Sequence, residues 1–316
     1  MTDTLADGEL FIIINQGSGR HDGGETREVL SRIFTEAGRK FRFVDMDGRQ
    51  PMQAKCNQAA RGAVEAGGIL VAAGGDGTIN AAASAAWQAG CRLGVLPQGT
   101  FNFFGRTHGI PQDLEAAARA LLQARSEQTQ VGTVNGRLFL VNASLGLYPQ
   151  LLQDRETFKN RIGRRRWVAF LSGLFTIFSW HRQLVLELES GGERTTIVTP
   201  TLFVGNNALQ MKLVGLEESV AARVGQGELA AVTTRPIGSW QILALLLRGA
   251  FSGLGDADQV RSFSFRKLVV RMPGRRKVKF AADGEVQVLT PPLTFEVSAK
   301  PLQLMLPREE DRVEAA

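Results

Sequence analysis

The chain has 316 residues, 44% apolar and 22% charged, with a net charge of +6 and a pI near 9.7. That balance belongs to a soluble globular protein with room for two domains, and the basic charge suits an anionic partner without choosing among nucleotides, acidic membranes and nucleic acid. Two cysteines, Cys56 and Cys91, exclude a disulfide scaffold, and three scattered histidines without HExxH or CxxC spacing exclude a recognisable zinc site.

The opening MTDTLADGEL is acidic where a signal peptide would be basic, so a cytoplasmic location is expected, peripheral to the inner face of a membrane. LFIII then reads as a buried strand, and residues 25–37 as an amphipathic helix ending at Gly38. KFRFVDM gives a second strand and residues 52–66 a second helix, stopped by Gly67-Gly68. ILVAA is a third strand, residues 78–88 a helix, RLGVLP a fourth strand, and Asp113 caps a helix running to about Ala124. Strands alternating with helices predict a doubly wound parallel sheet over residues 1–127, with helices on both faces.

The pattern changes after ARSEQTQ. Asn135-Gly136 predicts a hairpin. Strand-like runs follow: QLVLELES, TTIVTPTLFVGN, ELAAVTT, VRSFSFRKLVVRM, RKVKFAAD, VQVLT and LTFEVSA. Residues 128–299 are therefore expected to form a mostly antiparallel β-sandwich, with the tail at about 300–312 packing back on the first domain. Asn142-Ala-Ser144 fits a glycosylation sequon, which has no meaning in a cytoplasmic protein.

Three glycine-bearing loops each follow a predicted strand of the first half: NQGSG at 15–19, GGDGT at 74–78 and PQGTFN at 97–102. In this topology all three fall at the carboxyl edge of the sheet, where such folds bind ligands. Glycines let backbone N–H groups approach a ligand, and the helix that follows adds its positive N-terminal dipole, so the cluster reads as a phosphate cradle. No GxxxxGK[ST], HRD or DFG is present, which excludes a P-loop protein and a protein kinase. Asp76 stands amid these glycines. A carboxylate there would repel phosphate unless it holds Mg²⁺ or takes a proton from an incoming hydroxyl, and both are needs of phosphoryl transfer. The competing reading makes GGDG a tight turn braced by Asx hydrogen bonds.

With NQGSG, GGDGTIN, LPQGTFNFFGR and AADGE (residues 281–285) in this order, the chain resembles the diacylglycerol kinase catalytic-domain family, which includes bacterial lipid kinases and sphingosine kinases. The resemblance implies an ATP-dependent kinase acting on a lipid hydroxyl, diacylglycerol or a sphingoid-type lipid, with nucleotide and Mg²⁺ in the cleft between two domains. It places Asn15, Gly74, Gly75, Asp76, Gly77, Thr78, Gly99, Thr100 and Asn102 around the nucleotide, with Asp76 organising Mg-ATP. It brings Asp283 and Glu285 to the acceptor, with Asp283 as base assisted by Glu285 or, in the opposite division of roles, Asp76 as base, although ADGE also reads as a simple hairpin turn. The chain departs from the family pattern at Gln16 for proline, Ala81 for glutamate and Phe103 for aspartate. Gln226-Gly227 replaces an Asp-Gly pair where some members build a structural metal site.

A basic cluster, Arg161, Arg164, Arg165 and Arg166, precedes an apolar stretch from Trp167 to Trp180 that is too short to span a bilayer. It suits an anionic membrane surface, as does the stretch from Trp240 to Phe251. Nucleic acid is not an expected partner, because the basic runs, including Arg271–Lys279, lack interleaved aromatics. Two other functions compete with the lipid kinase: an NAD kinase-like phosphotransferase, and a non-catalytic nucleotide or lipid sensor on a kinase scaffold.

Overall fold

The computed structural model describes residues 8–15, 23–44, 50–99, 101–146, 183–213, 218–234 and 260–314. The chain divides into two units, one of residues 1–131 with 298–316 and one of residues 132–297.

The first unit is α/β. Its strands β1 (Leu10–Ile14), β2 (Phe41–Phe43), β3 (Ile69–Gly74) and β4 (Arg92–Pro97) are parallel and lie in the order β2-β1-β3-β4. Every residue of β1 and β3 is buried, which is why both read as unbroken apolar runs rather than alternating ones. Helices α1 (Gly23–Glu36), α2 (Met52–Glu65), α3 (Asp76–Ala89), α4 (Phe103–Thr107) and α5 (Leu114–Leu122) fill the connections. Asp113 caps α5 by accepting from the Ala116 N–H at 2.9 Å. α2 and α3 pack against each other, and both bury small residues, Ala59, Ala60 and Ala63 on one and Ala82, Ala83 and Ala86 on the other.

Two strands complete this sheet beyond β4. The last strand of the chain, β18 (Leu302–Leu306), pairs parallel with β4, and β5 (Arg125–Thr129) pairs antiparallel with β18. β5 was not legible because its sequence, RSEQT, lies at a sheet edge with little apolar surface to bury.

The second unit is a sandwich of two antiparallel sheets. One has the order β10-β9-β14-β17-β6-β7, built from β6 (Gly132–Val134), β7 (Arg137–Phe139), β9 (Leu184–Ser190), β10 (Glu193–Thr199), β14 (Lys267–Arg271) and β17 (Leu293–Val297). The other has the order β13-β12-β11-β8-β15-β16, built from β8 (Asn142–Gly146), β11 (Thr201–Gly205), β12 (Leu229–Thr234), β13 (Val260–Phe265), β15 (Val278–Ala282) and β16 (Glu285–Leu289). Between them Phe139 and Phe295 of the first sheet and Phe280 of the second are fully buried. Two runs expected as single strands break where the chain passes from one sheet to the other: TTIVTPTLFVGN divides at Pro200, which has no N–H to donate, and VRSFSFRKLVVRM at Arg266. The Asn135-Gly136 hairpin is present, with φ of 47° and 75°, the positive pair that a two-residue turn of type I′ requires. Short helices α6 (Ala208–Leu213) and α7 (Glu218–Ala221) cover part of the second sheet's outer face.

In the first unit, His108 follows α4 and packs edge-on against Phe104, with ring centroids 4.7 Å apart. Burial, with a smaller contribution from the Arg312 charge, pushes its imidazole down to about 4 from 6.5. A depressed histidine folds neutral, so its contribution is complete above pH 6.5 and is lost as pH falls towards 4, where the unfolded chain binds a proton that the folded chain refuses. Urea midpoints at pH 7 and pH 5 should therefore drop less in His108→Gln than in the native chain. Equal drops would exclude this histidine as a source of acid lability.

Candidate functional site

At the carboxyl edge of the parallel sheet, β1, β3 and β4 deliver their loops to the N-terminus of α3. The connection between β3 and α3 is a single residue, Gly75, so Asp76 and Gly77 belong to the helix rather than to a loop. α3 thus begins two residues before the expected Thr78. Gly75 is extended and no side chain caps the helix, which leaves N–H groups of its first turn aimed outwards. A Cβ on Gly77 would meet nothing within 4 Å, so the space over this turn is open.

The loops are tied together by polar contacts. Asn15, after β1, donates its side-chain amide to Thr78 Oγ1 at 3.0 Å. Gln98, after β4, donates its N–H to the Gly74 carbonyl at 2.9 Å and its side chain to Thr26 Oγ1 at 2.9 Å. Gly99 donates to Asn102 Oδ1 at 2.8 Å, and Asn102 returns its amide to Gly99 O at 3.0 Å and to Gln112 Oε1 at 2.8 Å. Asn102 holds φ at 49°, a left-handed conformation that asparagine tolerates better than most residues. Gly99 has no such freedom to lose, but a Cβ there would stand 2.9 Å from Gly75 Cα and 2.7 Å from Asn102 Oδ1. Two backbones touch at this point, and only glycine fits.

Asp76 sits at the centre of this arrangement. Its Oδ2 accepts the Asn102 N–H at 3.2 Å, while its Oδ1 is buried with no partner. Burial pushes its carboxyl above the ordinary range, against a smaller downward pull from the N–H groups of Asn102, Phe103 and Asp76 itself. An unpaired buried carboxylate oxygen is costly, and a cation or a proton relieves it. No group of three or more His, Cys, Asp or Glu suited to a metal occurs among the described residues. A divalent ion here would rest on fewer than three such side chains, Asp76 among them, which fits the preference of Mg²⁺ for one or two carboxylates with phosphate oxygens and water.

Asp283 and Glu285 belong to the second unit. Asp283 and Gly284, with φ of 47° and 86°, form the turn between β15 and β16. The Asp283 carboxylate does more than shape that turn. Oδ2 accepts from Leu140 N–H at 2.7 Å, and Oδ1 accepts from Val141 and Asn142 N–H at 2.8 and 3.0 Å. Glu285 is exposed at the first residue of β16.

Sequence reasoning missed a polar group beside this turn. Asn142 and Ser144 point to the outer face of β8, opposite the core residues Ala143 and Leu145; both are buried, and Asn142 Oδ1 and Ser144 Oγ have no partner. The Asn142 amide donates to Gln210 Oε1 at 3.0 Å. The only signal was the asparagine–serine spacing on a strand, which the sequon reading absorbed. The Gln226-Gly227 turn carries no carboxylate at its tip, and the Arg266 guanidinium approaches within 3.4 Å of where a Gly227 Cβ would stand. These residues do not fit the structural metal site that the resemblance raised. Thr100, the rest of NQGSG, and Arg161, Arg164, Arg165, Arg166 and Trp167 lie outside the described residues, as does the stretch from Trp240 to Phe251. No helix among the described residues is long and apolar enough to cross a membrane.

Residues 9–134 match the diacylglycerol kinase catalytic domain, which bears out the resemblance read from the motifs over that stretch. A "Probable lipid kinase YegS-like" protein of Klebsiella pneumoniae is 34% identical over 121 residues, 38% of this chain and 36% of that protein. A diacylglycerol kinase of Staphylococcus aureus is 38% identical over 85 residues, 26% of this chain and 27% of that enzyme. The matches thus span about a third of these curated relatives or less. The fold extends further. A crystal structure of a diacylglycerol kinase from Bacillus anthracis has a TM-score of 0.65 at 15% identity, covering 94% of this chain and 96% of that one. The crystal structure of a "putative diacylglycerol kinase" from the same organism has a TM-score of 0.68 at 18% identity, with the same coverage. At such identities the likeness is one of fold, and it bears out an α/β unit followed by a β-rich one.

Proposed function

We propose that the protein is an ATP-dependent lipid kinase that transfers the γ-phosphoryl group to a lipid hydroxyl of the diacylglycerol or sphingoid type. The observation that carries this reading is Asp76 at the open N-terminus of α3, with one buried oxygen unpartnered and strand-end loops tied around it. Gly77 and the first-turn N–H groups receive phosphate oxygens, Asn15 and Thr78 hold the rim, and Gly99 lets the β4 loop close against Gly75. Asp76 would hold Mg²⁺, which would supply neutralisation of the phosphate charge there. Transfer forms a bond from the acceptor oxygen to the γ-phosphorus and breaks the bond to the β–γ bridging oxygen, releasing ADP. The hydroxyl proton must leave to a carboxylate. The three N–H bonds that Asp283 already accepts support Glu285, whose carboxylate is exposed, as the proton acceptor, with Asp283 positioning the turn. The lipid is drawn from an anionic membrane surface by Arg161, Arg164, Arg165 and Arg166 with Trp167.

The test is transfer of labelled γ-phosphate from Mg-ATP to lipids in mixed micelles, with NAD as a parallel acceptor. A labelled lipid is expected. Glu285→Gln should slow its formation by about 100-fold or more at an unchanged melting temperature. Asp283→Asn should lower the melting temperature, because Asn cannot accept all three N–H bonds as the carboxylate does. Label on NAD instead would make the protein a soluble phosphotransferase. Label on neither, with ATP still bound, would make it a sensor.

A further inference from the structure

The segment after β4 that donates a hydrogen bond to Asp76 also carries an aromatic pair that phosphoryl transfer does not use. Phe101 and Phe103 flank Asn102, and their rings stack with planes 1° apart and centroids at 5.6 Å. Phe101 is 59% exposed, the most exposed of the large apolar side chains among the described residues. The intervening Asn102 donates its N–H to the Asp76 carboxylate, so the plate is fixed to the same backbone that shapes the phosphate cradle. An aromatic surface beside an anion site has the two features of a nucleotide: a planar base and a charged tail. Stacking on a π-face needs no hydrogen-bond partner, which suits a plate of two phenylalanines.

We propose that Phe101, backed by Phe103, is the platform on which the nucleobase stacks when the phosphates occupy the N-terminus of α3. The inference rests on the proposed nucleotide site and deepens it. Phe103 braces Phe101 from behind and fixes the angle of its exposed face.

Equilibrium binding of ADP, ATP and inorganic tripolyphosphate to the full chain separates base from phosphate. Phe101→Ala is expected to weaken ADP and ATP roughly tenfold while leaving tripolyphosphate within about twofold of the native value. Phe101→Trp should keep nucleotide affinity, and its added emission should be quenched by ADP but not by tripolyphosphate. Equal weakening of all three ligands by Phe101→Ala would overturn the platform and make the residue a support for the loop. Unchanged nucleotide binding with loss of binding to anionic vesicles would overturn it in favour of a membrane contact. If the native chain binds tripolyphosphate and no nucleotide, the platform and the kinase reading both fail. If it binds nucleotide and only the platform arms fail, the kinase reading stands.

Discussion

Asp76→Asn should abolish phosphoryl transfer while leaving the fold as stable as before, or more so. The folded environment raises the Asp76 carboxyl, so folding favours its protonated form. For a carboxylate raised in this way, the folded chain binds the proton more tightly than the unfolded chain. Stability is then greater at acid pH and is given up as pH rises through the folded value. At neutral pH the anion is therefore a burden on the fold, and an asparagine of the same shape removes it. Its side-chain oxygen can still accept the Asn102 N–H. What it cannot do is carry the negative charge that an incoming cation or proton needs, and the expected loss of turnover is on the order of 10²–10³. Melting curves with and without Mg-ADP complete the test. Magnesium should add to the nucleotide's stabilisation of the native chain and add little in Asp76→Asn. Full turnover in the variant would remove Asp76 from the reaction, and a collapsed melting temperature would make it a structural turn residue.

The site's position was readable because it depends on local order. A buried strand followed by glycines and a helix puts its loop at one sheet edge wherever it occurs, so GGDGT and PQGTFN could be placed before any contact was known. The side-chain roles were not readable in the same way. Asp283 accepts N–H groups from residues 140–142, some 140 positions earlier in the chain, and nothing in AADGE announces them. The same sequence would serve a bare hairpin turn. Asn142 and Ser144 were hidden because alternation on β8 shows which residues face the core without showing what covers the other face. The first residues of α3 were placed in a loop because glycine counts against a helix. At a first turn open to a ligand, that penalty is outweighed by the need for bare N–H groups. β10 and β11 merged into one run because their apolar residues serve one core from two sheets.

Deleting residues 298–316 should destroy the α/β unit, although that unit's glycine motifs all lie in the first third of the chain. β18 is an interior strand, between β4 and β5. It buries Leu302, Leu304, Met305 and Leu306, each 6% exposed or less. At roughly 1.5–3 kcal/mol per buried side chain, with the extended chain as reference, their burial amounts to about 6–12 kcal/mol. That is the size of a domain's whole stability. The deletion also strips β4 of its partner on the side away from β3 and turns it into an open, apolar edge. Two further contacts tie this segment to α3, since the Trp87 indole donates to Lys300 O at 2.8 Å and Lys300 Nζ donates to Gln88 O at 3.2 Å. β4 leads directly into Gln98, Gly99 and Asn102, and α3 begins at Asp76, so both halves of the phosphate cradle lose support at once. The truncated chain should be insoluble or bind ANS, with no cooperative melting of the α/β unit. A milder variant, Leu304→Asp, opposite Leu93 on β4, should place a charge in the same layer and lower the melting temperature steeply. If either protein melts like the native chain and still binds nucleotide, β18 is an accessory strand and the cradle stands without it.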